Sequence, residues 1–219
     1  MSELNKFYSP SEVDYGPIVP AYQEAFKGEP WYEVSKCADP EAPKRCVGGL
    51  SRVALGELCM TCNMRPSTPA YESDELTARF EELAASRPTQ WYIEETENGI
   101  ALASIVWSAP KETIAVEKYS DVPEMMSWIE EAVGSEEIAW LDEVFANKSI
   151  RLTGNLRNFG AMCLGLMERL DQSVMAFRTI NPAMIRAAER DFGERAVVYE
   201  REKDVPDRRD FVVISRGEE

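Results

Sequence analysis

Residues 138–156 read IAWLDEVFANKSIRLTGNL and lead from an apolar strand through a turn into an apolar helix. The strand is predicted over 138–145 and the helix over 156–170, where large apolar side chains recur at helical spacing. The start of a helix has unpaired N–H groups and the positive end of the helix dipole, so it binds phosphate readily. Arg151 adds a positive charge to this turn, and Gly154 allows a ligand to approach the backbone closely.

The elements on either side of this stretch alternate between helices and strands. Hydrophobic periodicity predicts helices over 17–26, 74–86, 121–133 and 182–191, and strands over 91–95, 100–107, 174–180, 196–199 and 211–215. Asn98-Gly99 separates two of these strands, and Asn-Gly favours a tight hairpin because both residues tolerate positive φ. The predicted fold class is therefore α/β (α+β), with a mixed, mostly antiparallel sheet and helices on both sides.

Length and composition indicate one globular domain over residues 1–219. Hydrophobic residues make up 44% and charged residues 29% of the 219-residue chain, which is ordinary for a folded protein. No apolar run approaches the roughly 20 residues of a membrane helix. The N-terminus lacks the basic and apolar regions of a secretory signal. We therefore expect a cytoplasmic protein that does not bind membranes.

The charge and the absence of histidine restrict the chemistry. The chain has 39 acidic and 24 basic residues, a formal net charge of −15, and no histidine. Such a surface serves solubility, repels nucleic acids and anionic lipids, and attracts a cationic substrate such as an amine or a basic peptide. Without histidine, the commonest general base is missing and no Ser-His or Cys-His pair can form. Catalysis must then use carboxylates, Tyr, Cys, backbone groups or a cofactor.

Residues 31–67 form a candidate insertion, rich in Gly, Pro and Cys, with a Cys-x8-Cys-x12-Cys-x2-Cys pattern. Four thiolates can bind one metal ion tetrahedrally and leave no open position, so we predict a structural Zn2+ that helps this segment to fold. Permanent disulfides are disfavoured in the cytoplasm, and a βαβ context for a redox-active pair is missing. The predicted ligands are Cys37, Cys46, Cys59 and Cys62. Cys163 lies on the apolar face of a predicted helix and is expected in the core.

The turn sequence Arg151-x-x-Gly154-x-Leu156, after a strand and before an apolar helix, resembles the acyl-CoA loop of the GCN5-related N-acetyltransferase (GNAT) superfamily. Downstream, residues 178–184, which contain Asn181, and the following helix resemble that family's next strand, Asn and helix. Upstream, the helices, hairpin and strand occur in the family's order. The resemblance covers nearly the whole chain except the cysteine module and residues 111–134, which look like insertions.

The resemblance implies direct transfer of an acetyl or related acyl group from acetyl-CoA to an amine. The strand ending at 144–146 would part from strand 174–180 and admit the pantetheine arm of the cofactor, with Asn181 beside it. A base must take a proton from the ammonium group before the amine attacks. Glu143 and Asp142 are the candidates for this base, with Glu143 preferred. The predicted cofactor-binding residues are Val144, Phe145, Ala146, Arg151, Leu152, Thr153, Gly154, Asn155, Leu156 and Asn181.

Departures from the family pattern leave alternatives open. Leu156 stands where Gly or Ala is usual, and Ala188 stands where the family often has a Tyr that protonates the departing thiolate. A catalytically degenerate GNAT-like binding protein, with the cysteine module as a docking surface, is the main alternative. A zinc-stabilised interaction module without any cofactor is another. Asp142 and Glu143 have an alternative role as a solvated strand end or as salt-bridge partners.

Overall fold

The computed structural model describes residues 6–27, 33–37, 50–51, 55–58, 67–120, 123–146, 156–200 and 209–217. The strands are β1 (Phe7–Tyr8), β2 (Ser35–Cys37), β3 (Leu50–Ser51), β4 (Ser67–Pro69), β5 (Thr89–Thr96), β6 (Gly99–Pro110), β7 (Glu137–Ala146), β8 (Val174–Thr179), β9 (Ala196–Tyr199) and β10 (Asp210–Ser215). The α-helices are α1 (Tyr15–Lys27), α2 (Ser73–Ser86), α3 (Lys111–Tyr119), α4 (Pro123–Ala132), α5 (Phe159–Arg169) and α6 (Pro182–Phe192). None of these helices combines the length and apolarity needed to cross a membrane.

The described strands form a seven-stranded sheet in the order β1-β5-β6-β7-β8-β10-β9 and a small sheet in the order β3-β2-β4. In the large sheet every neighbouring pair is antiparallel except β7 and β8, which run parallel. The hairpin between β5 and β6 turns at Gly99, whose φ of +106° favours glycine. The predicted fold class, a mixed and mostly antiparallel sheet flanked by helices, is confirmed.

Helices cover both faces of the large sheet, and alternate residues of each strand face opposite cores. Helices α1 and α2 pack on one face against β5, β6 and the end of β7. Helices α3 and α4 cover the same face farther along, against β8 and β10. Helices α5 and α6 cover the opposite face. On β10, for example, Phe211 contacts the α3–α4 core and Val212 contacts the α5–α6 core.

Besides the three short strands of the small sheet, two elements lie where the sequence pattern predicts none. Strand β1 pairs with β5 by only two residues, too few for any periodicity to reveal. Helix α3 buries Ile114 and Ala115 against the sheet, although it follows β6 without an intervening loop. The described residues of 111–134, a segment that the sequence marks as an insertion, therefore contribute to the main core.

Most of the cysteine module lies outside the described residues. Cys37 is buried in β2 of the small sheet. Cys46, Cys59 and Cys62 fall in stretches that the structure does not describe. Within the described ranges, no group of three or more potential metal ligands is found, and zinc binding stays a prediction. Cys163 is fully buried in the α5–α6 core, as expected.

Candidate active site

The two parallel strands at the centre of the sheet part after a short paired stretch. Along β7 and β8, both wholly described, pairing is limited to Ala139 with Met175 and Trp140 with Ala176. Beyond that point β7 stays paired with β6 as far as Ala146, and β8 stays paired with β10 as far as Thr179. The facing edges of β7 and β8 are thus left open to a ligand, as the resemblance implies.

A cavity of about 220 Å³ lies in this opening. Leu141, Val144, Phe177 and Met184 belong to the core between the sheet and α5–α6, whereas Tyr22 and Phe26 belong to the core on the side of α1 and α2. The charged side chains come from α2, α3, β7, β8 and the residues that precede β2 and β10. The lining residues are Tyr22, Phe26, Glu33, Tyr71, Arg79, Lys118, Leu141, Asp142, Glu143, Val144, Phe177, Arg178, Thr179, Met184 and Arg209. The opening therefore joins an apolar groove on the side of α5 and α6 to a second part that the acidic and basic residues of this lining surround. We call this second part the charged chamber.

A β-bulge at Asp142 places two carboxylates on the same face of the sheet. Ile105 of β6 lies opposite Glu143 and its neighbour Val106 lies opposite Leu141, so Asp142 is the extra residue. Strict alternation would direct Glu143 towards the α5–α6 side, but the bulge restores it to the side of α1 and α2. Both predicted catalytic carboxylates consequently face the charged chamber.

Glu143 is held by two hydrogen-bond donors, and burial raises its pKa. Its Oε1 accepts hydrogen bonds from the Tyr22 hydroxyl at 3.1 Å and from Arg79 Nη2 at 2.8 Å. Burial raises the pKa of Glu143 above its ordinary value, and the nearby charge of Asp142 adds to this effect, although Arg79 opposes it. A positioned carboxylate with a raised pKa is suited to accept a proton near neutral pH.

Asp142 has the opposite electrostatic character. Burial by itself would raise the pKa of Asp142, but Lys118 and Arg79 outweigh burial and hold the pKa below its usual value. Its Oδ1 accepts from Lys118 Nζ at 2.5 Å and from the Trp140 indole N–H at 3.0 Å, and its Oδ2 accepts from Arg79 at 3.2 Å. Asp142 therefore stays charged and anchors Arg79, which leaves Glu143 as the candidate base.

Further chamber residues were not identified by sequence reasoning. The Tyr71 hydroxyl donates to Glu33, and burial raises the pKa of this carboxyl. The rings of Tyr22 and Tyr71 meet edge-on at 5.1 Å. Tyr22 was detectable as a hydroxyl on an otherwise apolar helical face. The positions of Glu33, Tyr71 and Arg79 carry no comparable pattern.

The helix after the turn begins later than predicted, at Phe159 rather than Leu156. In a continuous α-helix the Gly160 N–H would donate to the Leu156 carbonyl. Instead this N–H donates to Asp191 Oδ2 at 2.8 Å, and Arg190 Nη2 donates to the Leu156 carbonyl at 2.8 Å. The two neighbouring side chains on α6 thus take both partners of that bond and displace the helix start.

The remaining predicted cofactor residues lie around the opening. The side chain of Leu156 packs against the α5–α6 core. Phe145 is buried on the opposite side, while Val144 and Ala146 are half-buried beside α5 and α6. Asn181 caps α6, its Oδ1 accepting from the Ala183 N–H at 3.0 Å. The predicted loop residues Arg151, Leu152, Thr153, Gly154 and Asn155 lie outside the described residues.

Ala188 is fully buried in the α5–α6 core. A methyl group there cannot supply a proton to a departing thiolate. Tyr199, another tyrosine near this part of the sequence, packs against Trp128 at a ring distance of 4.8 Å, away from the cavity. Neither Ala188 nor Tyr199 is therefore placed to supply the acid that the resemblance implies.

Solved structures that are similar to this chain include acetyltransferases. A protein from Corynebacterium glutamicum described as histone acetyltransferase HPA2 and related acetyltransferase matches at a TM-score of 0.48 and 14% identity, over 98% of this chain and 97% of the other. The acetyltransferase yncA from Salmonella typhimurium, solved with its cofactor acetyl-CoA, matches at 0.48 and 12% identity, over 97% and 94%. A ribosomal-protein-alanine N-acetyltransferase from Brucella melitensis matches at 0.45 and 11% identity, over 96% and 98%.

No protein-family model matches the sequence, and no curated protein matches it. With TM-scores below 0.5, the structural similarities assign neither a reaction nor a substrate to this chain.

Proposed function

We propose that this chain is an acyl-CoA-dependent N-acyltransferase that transfers an acetyl or related acyl group from acetyl-CoA directly to an amine. The observation that carries the proposal is the parting of parallel strands β7 and β8 around a cavity that holds Glu143. An extended arm with amide groups can pair with the open edge of a strand, because backbone N–H and C=O groups there lack partners.

The cofactor would enter from the side of α5 and α6. Its pantetheine arm would lie along 144–146 of β7, with its methylene groups against Leu141, Phe177 and Met184, which line the apolar part of the cavity. Its diphosphate would lie at the turn 151–156, ahead of α5. This arrangement directs the thioester towards the charged chamber.

The amine would enter from the side of α1 and α2, where Glu143 takes a proton from its ammonium group. The neutral amine then attacks the thioester carbonyl carbon, a C–N bond forms, and the C–S bond breaks. After the attack the nitrogen loses a second proton, which the departing thiolate takes up, and Glu143 returns its own proton to solvent. Tyr22 and Arg79 fix the carboxylate during this cycle, and Asp142 fixes Arg79.

Binding and turnover test the proposal separately. Titration calorimetry with acetyl-CoA should give binding heat, and a thiol-reactive dye should detect CoA release with a primary amine. Glu143→Gln should retain acetyl-CoA binding and lower kcat by about 10²–10⁴-fold, the usual contribution of a general base. Glu137→Gln is the control, because Glu137 is exposed at the start of the same strand. Absence of binding heat for acetyl-CoA would refute the proposal.

A second candidate function is binding of acetyl-CoA without acyl transfer. The buried Ala188 favours a GNAT-like binding protein, since it provides no acid for the thiolate. Acetyl-CoA binding without CoA release across a broad panel of amines is the result that this alternative predicts. Binding of CoA would also exclude an interaction module that uses no cofactor.

A further inference from the structure

The cavity between β7 and β8 is apolar on its α5–α6 side except at one residue. The described residues that line it from this side are Leu141, Val144, Phe177, Thr179 and Met184. Among these five, Thr179 alone has a polar side chain, and it is 2% exposed. A buried polar group costs free energy unless it is hydrogen-bonded, so the partners of this hydroxyl indicate what it can do.

The register of the sheet places Thr179 in the apolar groove. Phe177 of β8 pairs with Val212, which contacts the α5–α6 core. Alternate residues of a strand face the same side, so Thr179 faces α5 and α6 as Phe177 does. A contact between the side chains of Thr179 and Met184 of α6 agrees with this orientation.

Thr179 and Glu143 stand at one level of the opening, on opposite sides of the sheet. The last pair between β7 and β8 is Trp140 with Ala176. Three residues farther along the two strands lie Glu143 and Thr179, respectively. The bulge turns Glu143 towards α1 and α2, whereas Thr179 faces α5 and α6. The opening therefore has a carboxylate on its acceptor side and a hydroxyl on its cofactor side.

The Thr179 hydroxyl has one ordinary and one weak hydrogen-bond partner. Its Oγ1 accepts from the Asn181 N–H at 3.0 Å, and its O–H donates to the Met184 sulfur at 3.5 Å. A thioether sulfur is a weak acceptor, whereas an ionised acceptor forms shorter and stronger hydrogen bonds. A thiolate in the groove would therefore displace Met184 as the acceptor of this O–H.

We propose that Thr179 is a catalytic residue whose hydroxyl donates a hydrogen bond to the cofactor sulfur as the C–S bond breaks. This inference rests on the proposed N-acyltransferase function. Thr179 keeps its proton throughout: the electron pair of the C–S bond stays on sulfur, and sulfur then takes up the proton that the nitrogen loses. Between these two events the hydroxyl stabilises the negative charge, which the methyl group of Ala188 cannot do.

The surroundings of Thr179 suit this role. A hydrogen bond to a developing charge is stronger in an interior shielded from water, and a donor already held in place needs no reorganisation during the reaction. The bond from the Asn181 N–H holds Oγ1, while the O–H can rotate about the Cβ–Oγ1 bond from one sulfur to another. A hydrogen bond to a charged group contributes about 10- to 100-fold to an equilibrium or a rate.

The pKa of bound CoA measures this hydrogen bond without any turnover. The ultraviolet absorbance of the thiolate gives this pKa as the difference between the complexes with CoA and with desulfo-CoA, which cancels the signal of the protein's own cysteines. Thr179→Val keeps the shape of the side chain and removes the donor, so it should raise the pKa of the bound thiol by about one to two pH units. Thr179→Ser keeps the donor and should leave this pKa at the wild-type value. Thr179→Ala provides the same comparison should valine prevent folding.

Ser104 provides a matched control. Like Thr179, it is buried and its hydroxyl donates to a methionine sulfur, that of Met162 at 3.5 Å, but it does not line the cavity. Ser104→Ala should therefore leave the pKa of bound CoA unchanged. This variant separates the general loss of a buried hydroxyl–sulfur contact from its loss at the opening.

Turnover gives the second readout. Thr179→Val should lower kcat about 10- to 100-fold and leave the Kd of acetyl-CoA nearly unchanged, because the hydrogen bond gains its strength only as charge develops on sulfur. Thr179→Ser should restore kcat.

An equal thiol pKa in the wild type and in Thr179→Val would overturn the inference while leaving the proposed reaction intact. Weaker binding of acetyl-CoA to Thr179→Val at an unchanged thiol pKa would also overturn it, since Thr179 would then only hold the start of α6 through Asn181. If CoA binds but no amine is acylated, the thiol pKa still decides. If neither CoA nor acetyl-CoA binds the wild-type chain, the proposed function and this inference both fail.

Discussion

Two adjacent carboxylates should affect stability in opposite directions. Asp142→Asn should destabilise the fold near neutral pH, whereas Glu143→Gln should stabilise it. Both replacements keep the shape of the side chain and remove one negative charge, and both sites lie on the same bulge. They differ in surroundings: Lys118, Trp140 and Arg79 donate to Asp142, while the burial of Glu143 exceeds what Arg79 compensates.

The free energy of unfolding that Asp142→Asn removes can be worked out from the hydrogen-bond partners of Asp142. The pKa of Asp142 is lowered in the folded state, so its contribution to stability is present above the unfolded pKa and is lost as pH falls through the folded pKa. Its side chain is 8% exposed, and removal of one partner from a buried pair costs about 3–5 kcal/mol. Lys118 keeps some contact with solvent, so we expect about 3 kcal/mol. For a chain of this size that lowers Tm by roughly 6–12 °C.

The effect at Glu143 has the reverse sign. Its pKa is raised in the folded state, so the folded chain binds a proton more readily than the unfolded chain does, and stability falls as pH rises from the unfolded to the folded pKa. Glutamine mimics the neutral form and removes this loss. Above the folded pKa, the gain in free energy of unfolding is about 1.4 kcal/mol for each unit of the upward shift.

Urea unfolding of the wild type and both variants, at about pH 5 and about pH 8, measures these effects as changes in midpoint at constant slope. The advantage of Glu143→Gln should be larger at the higher pH, and Asp142→Asn should be less stable than wild type at both. Equal destabilisation by the two replacements would refute the division of roles between the carboxylates. It would also remove the physical reason for preferring Glu143 as the base.

Three further results are expected. Gly160→Ala should lower Tm, because its Cβ would lie 2.7 Å from the Asp191 Cβ; overpacking costs about 1–3 kcal/mol, against about 1 kcal/mol of gained helix propensity, and Gly134→Ala, with open space around it, is the control. Tyr22→Phe removes a hydrogen bond to Glu143, so it should lower the free energy of unfolding by about 1.5–3 kcal/mol. Because this bond lowers the pKa of Glu143, its removal should move the acid limb of the kcat/KM profile to higher pH. An acid limb that does not move would argue against Glu143 as the base. Native mass spectrometry should find one zinc ion per chain and chelation should lower Tm; a metal-free chain whose module thiols all titrate would contradict the four-cysteine site.

Much of the fold follows from local patterns. Helices α1 and α2, the hairpin at Gly99 and the central strands have the apolar spacing or turn residues that specify them, and the structure places them where the sequence predicts. Helix α3 does not, because it is short and follows β6 directly. Its buried residues become recognisable only against the sheet that they cover.

The candidate site was only partly predictable. Asp142 and Glu143 stand at the end of a strand in the sequence itself, and the resemblance placed an opening beside them. Their different roles were not predictable, because they depend on Arg79 and Lys118, which are distant in sequence and approach only through packing. The start of α5 depends in the same way on Arg190 and Asp191 of α6.

By itself, the amino-acid sequence determined most of the helices and strands that build the large sheet and its cover, because hydrophobic period, capping and turn chemistry act between near neighbours. It also determined that any catalysis proceeds without histidine. Tertiary structure alone decided that a bulge turns both carboxylates to one face and that Arg79 and Lys118 lie against them. These properties depend on strand register and on charges brought together from distant parts of the chain, and a pKa responds to that surrounding field rather than to sequence neighbours.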